Sequence, residues 1–211
     1  MSKVIKHHFV FILFFLANNI IEAQIKKENI KLGVSYGTGY NKFPFKSKDY
    51  SHEVDFYKVI INYKIVQKKR WSYEINLEPS YNIAEHQLLN KWFIKDTDSE
   101  NYLELRDLYT QKRTIKEYVI NIGFVARYSF FKTFSGYVIG SVGPMISNKA
   151  TERLAKGYAF SDVFGLGVSY QMGKTQLNFR YSIRHTSNLE LKAPNNGHDS
   201  TNIECAILIQ L

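Results

Sequence analysis

Cysteine occurs once in the 211 residues, as Cys205, and proline four times. A single thiol excludes an intramolecular disulfide framework and reads as a small packing residue. There is no paired C-x-x-C, no H-E-x-x-H and no phosphate-binding glycine loop, so zinc and nucleotide chemistry have no support, and no cofactor or metal is expected. His52, His86 and His198 read as exposed loop residues. Beyond the N-terminus no apolar run approaches the roughly 20 residues that a membrane-spanning helix needs. Membrane residence, if any, must therefore come from strands.

The N-terminus does carry a short apolar run. Lys3 and Lys6 precede Phe9–Ala17, and Glu22-Ala23-Gln24 follows as a small-residue cut site, the layout of a secretory signal cleaved after Ala23. The expectation is a signal peptide over 1–23 and one domain over 24–211, which leaves 188 residues. Export makes nucleic acid the least fitting partner for the net charge of +9, which falls to +8 when Lys3, Lys6 and Glu22 leave. Lys46, Lys48, Lys91, Lys95, Lys112, Arg113, Lys149, Arg153 and Lys156 fall in long connections. They suit either a solvated surface or attraction to phosphorylated lipid headgroups.

Aromatic residues are plentiful, with 15 Tyr and 15 Phe, which favours pleated strands with aromatic rims. Period-two runs predict eight strands, at about 30–41, 55–66, 71–83, 116–129, 134–147, 157–171, 174–188 and 200–211. Their connections alternate between tight turns and long loops, the asymmetry of an outer-membrane barrel. Within the 83–116 connection, Ala84–Asn90 or Tyr102–Tyr109 suits a helical turn. In 177–187 the odd positions Leu177, Phe179, Tyr181 and Ile183 are apolar and face lipid, while Asn178, Arg180, Ser182 and Arg184 face a polar lumen. The fold class is all-β: an eight-stranded antiparallel up-and-down transmembrane β-barrel with both termini in the periplasm. A soluble lipocalin-like barrel, which suits the same composition, turns its apolar face inward instead.

Two strings carry candidate chemistry. Gly33-Val34-Ser35-Tyr36-Gly37 fits G-x-S-x-G, but that elbow needs a strand-to-helix turn and here lies inside an alternating strand, so it reads as a chance match. The other is His185-Thr186-Ser187-Asn188, followed after five residues by Pro194-Asn195-Asn196-Gly197-His198-Asp199. It resembles the signature of the lipid A 3-O-deacylase (PagL) family: H-x-S-N, P-N-x-G, then an acid two positions past the glycine. Gly143-Pro144 and the 158–167 stretch also resemble related exported barrels. The resemblance implies Ser187 as nucleophile, His185 as general base, Asp199 as the acid orienting the imidazole, and Asn195 with Asn188 as oxyanion donors. Asp199 stands where the family usually carries the longer glutamate, and Leu189 where it usually carries a small residue.

The residues themselves permit this chemistry. Positions two apart on a strand share a face, with Cα atoms roughly 6–7 Å apart, and an unactivated serine needs a base within hydrogen-bond reach. By parity alone the pair reads as polar side chains at headgroup level; the Pro-Asn-x-Gly-x-Asp continuation turns the reading toward a site. The expected activity is serine-dependent hydrolysis of an ester-linked acyl chain of lipid A in the outer leaflet. A non-catalytic structural or adhesion barrel is the competing class, and a phospholipase or acyltransferase a third. The expected partners are lipopolysaccharide and the outer membrane, with a homodimer left open.

Overall fold

The computed structural model describes residues 26–41, 47–97 and 99–211. The signal segment, its cut site and Lys46 lie outside the described residues. Eight strands follow one another: β1 (Ile30–Tyr40), β2 (Tyr50–Lys68), β3 (Trp71–Leu88), β4 (Arg113–Ser129), β5 (Phe134–Ser147), β6 (Gly157–Met172), β7 (Thr175–Ser187) and β8 (His198–Gln210). Each pairs antiparallel with the next, and β1 pairs with β8 from Lys31↔Gln210 to Tyr40↔Thr201, which closes the barrel. Closure leaves no unpaired sheet edge, the condition for crossing a bilayer with strands.

Alternation builds the wall. Along β4 the side chains of Tyr118, Ile120, Ile122 and Phe124 are more than half exposed, whereas Glu117, Val119, Asn121 and Val125 between them are buried. The outer face is thus apolar and the interior largely polar, the inverse of a soluble barrel. Aromatic pairs rim the wall at both ends: Tyr36–Tyr57, Tyr81–Tyr118 and Tyr158–Phe160 toward the long loops, Trp71–Tyr128 and Tyr128–Phe130 toward the short turns. Such girdles mark the two membrane–water interfaces. Cys205 sits on the outward face of β8 and is exposed rather than packed.

Buried ion pairs hold the lumen. Arg180 lies between Glu78 and Glu204, 3.0 and 2.5 Å away, and Lys58 reaches the same two carboxylates at 3.4 and 2.9 Å. Two cations against two anions leave this layer neutral. Arg127 pairs with Glu74 at 2.8 Å, and Arg184 with Glu117 at 2.9 Å. Arg184 also donates to Ser161 Oγ at 2.9 Å, so β7 is tied to β4 and β6 one residue before His185.

The strands at the long-loop end run further than the sequence pattern predicts. β2 begins at Tyr50 and β3 ends at Leu88, so 84–88 is strand, and the helix of the long connection is α1 (Tyr102–Thr110). The cause is an inversion of the usual cue: beyond the bilayer the inward positions include His52 and His86, with Val54, Ala84 and Leu88, while Glu53 and Glu85 face out. His52, His86 and His198 are therefore not loop residues. They are 2%, 3% and 4% exposed, inside the barrel. Ser35 of the G-x-S-x-G string is likewise a buried residue within β1, with no strand-to-helix turn beside it.

Candidate active site

β7 ends at Ser187, and its last odd positions stand on the outward wall near the outer aromatic rim, where Ser187 pairs in register with Phe160. His185 has register partners on both sides: Asp162 on β6 and Asp199 on β8. The bond forms with Asp199, whose Oδ1 lies 2.7 Å from His185 Nδ1, the two side chains being 48% and 35% exposed. Direct cross-strand placement explains why an aspartate suffices where the family usually has glutamate: neighbouring strands are only about 4.8 Å apart. A carboxylate on Nδ1 makes that nitrogen the donor and leaves Nε2 with its lone pair. Ser187 Oγ makes no hydrogen bond to a described residue.

The loop after Ser187 is built by its own amides. Asn195 Oδ1 accepts from the backbone N–H of Asn188 at 2.8 Å, which brings the Asn195 carboxamide to the residue following Ser187. The Asn188 side chain is buried and donates to Lys192 O at 2.6 Å. With its backbone N–H and its side-chain Nδ2 both bonded within the loop, Asn188 shapes the turn that follows Ser187. Gly197 adopts φ +62°, and a Cβ there would stand 2.7 Å from Thr186 O and 3.1 Å from His185 Cε1. Only glycine lets the returning chain take this left-handed turn and pack against the imidazole.

Residues that the sequence marked only as loop cations, or did not mark at all, brace this loop. Arg153, from the β5–β6 connection, donates through Nε to Gly197 O at 2.6 Å, and its backbone carbonyl accepts from Asn196 N at 2.7 Å. Its guanidinium lies 4.7 Å over Tyr50 and 5.0 Å over Phe93, so this cation is a brace rather than a free surface charge. Tyr50 Oη accepts from the Asp199 backbone N–H at 3.3 Å. Arg113 is occupied similarly, donating to Ala150 O at 2.8 Å and stacking over Tyr109. No local pattern marks these partners, because each comes from a different loop or strand.

The sequence matches the family described as lipid A 3-O-deacylase (PagL) over residues 56–207. The chain belongs to that family. Among solved structures, the outer membrane enzyme PagL superposes with a TM-score of 0.55 at 14% identity, covering 82% of this chain and 97% of that one. Neisserial surface protein A (NspA) gives a TM-score of 0.51 at 8% identity, covering 87% and 97%. Both support an outer-membrane barrel. No curated protein matches the sequence. For this member of the lipid A 3-O-deacylase family, the residues around Ser187 are thus placed on the wall of the fold its relatives share.

Proposed function

We propose that this protein hydrolyses an ester-linked acyl chain of lipid A, at the 3-O position, using Ser187, His185 and Asp199. The observation that carries the proposal is the 2.7 Å His185–Asp199 bond on the outward wall, two residues from Ser187 on the same strand face. His185 Nε2 takes the proton of Ser187 Oγ as the oxygen attacks the ester carbonyl, then returns it to the leaving sugar hydroxyl. Water releases the fatty acid by the reverse use of the same base. Asp199 holds the tautomer and stabilises the imidazolium. The Asn195 amide donates to the developing oxyanion, a contribution typically of roughly 3–4 kcal/mol. The serine–imidazole hydrogen bond forms once substrate binds, since catalytic hydrogen bonds are often long or unmade without substrate.

The location fits the substrate class. Val142, Phe164 and Ile183 line a shallow depression of the wall that runs to His185 and Asp199, so an acyl chain in the outer leaflet lies alongside the reacting groups. Every group used comes from one chain, and the reading calls for no second copy.

The test is mass spectrometry of lipid A from cells with and without the protein. The expected result is loss of one 3-hydroxyacyl chain, abolished by Ser187→Ala and by His185→Ala. An unchanged acyl pattern supports the scaffold class instead, and fatty acid released only from phospholipid supports a phospholipase.

A further inference from the structure

A second cluster of chemically capable side chains lies on the opposite side of the wall. His52 of β2, Glu117 of β4 and His198 of β8 converge at the long-loop end of the lumen, with one ligand atom from each all within 4.8 Å of one another. They are 2%, 1% and 4% exposed. We propose that they bind a divalent transition-metal ion of the zinc class, which ties β8 to β2 and β4 directly behind Asp199.

The first argument is the state of His198. Both its ring nitrogens are buried without a hydrogen-bond partner among the described residues, and Nε2 points at Glu117 Oε1 from 4.0 Å, too far for a bond. Leaving a buried polar group unsatisfied costs about 1–3 kcal/mol. An ion between the imidazole and the carboxylate removes that cost.

The second argument is how the other two ligands are prepared. Glu152 lies 3.0 Å from His86 Nε2, so that nitrogen carries the proton, and His86 Nδ1 is left to accept. His52 Nδ1 stands 3.2 Å from His86 Nδ1, and with His86 neutral it is the donor of that pair. In that tautomer the lone pair of His52 lies on Nε2. A carboxylate acting through hydrogen bonds to set ligand tautomer is the usual outer-shell arrangement of metal-binding histidines. Glu117 is prepared too: Arg184 and Asn82 hold its Oε2 at 2.9 and 3.0 Å, which leaves Oε1 for the ion.

Charge and size are compatible. Glu117 and Glu152 outweigh Arg184 by one negative charge, so a dication is tolerated. Two imidazoles and one carboxylate are borderline donors suited to Zn²⁺ rather than Ca²⁺ or Mg²⁺. Bond lengths of about 2.0–2.1 Å require the three atoms to close in by roughly 1 Å, within reach of side-chain rotation. A recess between the 89–112 and 188–197 connections reaches as far as Glu152, the partner of His86. The ion does not touch the ester, which lies on the outer face.

The test uses the full, untagged chain purified in detergent, stripped with a chelator and titrated with Zn²⁺ alone. One Zn²⁺ per chain is expected, together with a raised thermal midpoint of the folded barrel. His52→Ala and His198→Ala should abolish stoichiometric binding, and His86→Ala should weaken it about 10–100-fold. His185→Ala should leave binding intact. Because a variant can fail to fold, X-ray absorption of the Zn²⁺-loaded wild-type protein provides an independent reading, with two imidazoles expected. No binding in tenfold excess Zn²⁺, binding that survives the His52 and His198 substitutions, or fewer than two imidazoles overturns the proposal.

Discussion

His185 and Asp199 face each other across the β7–β8 seam, and the hydrogen bond between them, at 2.7 Å, crosses the barrel wall on its lipid side. In buried serine triads, removing the acid's charge costs about 10⁴-fold in rate. Here both side chains are substantially exposed, so water takes over part of the orienting role. Asp199→Ala is expected to lower deacylation about 10²-fold, less than Ser187→Ala. Rates measured on lipid A in mixed micelles check this, and equal losses contradict it.

Gly197→Ala places a methyl group against Thr186 O and the His185 ring at a positive φ. The expected cost is about 1–2 kcal/mol of local strain, relieved by displacement of the imidazole. Deacylation should fall while the barrel still migrates as a folded species in unheated gels. Unaltered rates would show that the ring is not held by this turn.

Arg153→Ala removes the hydrogen bond to Gly197 O and the stacking on Tyr50. Limited proteolysis should then cut within 188–197 faster than in the wild type, with little change in the global unfolding midpoint. The loop, rather than the strands, depends on that side chain.

Glu78→Ala leaves Arg180 and Lys58 sharing only Glu204 in the lumen. Breaking a buried pair by deleting one partner costs about 3–5 kcal/mol, which denaturant unfolding in vesicles will register. Deleting Lys112, which pairs with Glu85 in the open, should leave the midpoint where it is.

Ile122 is 59% exposed near the middle of β4. If this band contacts hydrocarbon, Ile122→Arg costs about 2–4 kcal/mol in a bilayer. A much smaller cost would argue against the membrane placement of the wall.

Strand number, the inward or outward aim of most side chains and the placing of His185 and Ser187 on one face were all determined by the sequence, because a pleated strand sends alternate residues to opposite sides. Residues 185–199 likewise carried a readable pattern, since loop chemistry and spacing are local. The outer ends of β2 and β3 were not legible: there the inward positions include histidine, and the polarity cue that separates strand from loop reverses. Which carboxylate meets His185 depended on register, as Asp162 and Asp199 both stand opposite it and only Asp199 bonds. The gathering of His52, His86, Glu117 and His198, and the bracing of Gly197 by Arg153, required barrel closure. Those contacts join residues from different strands and loops, and only the closed ring of hydrogen-bonded neighbours brings them within bonding distance.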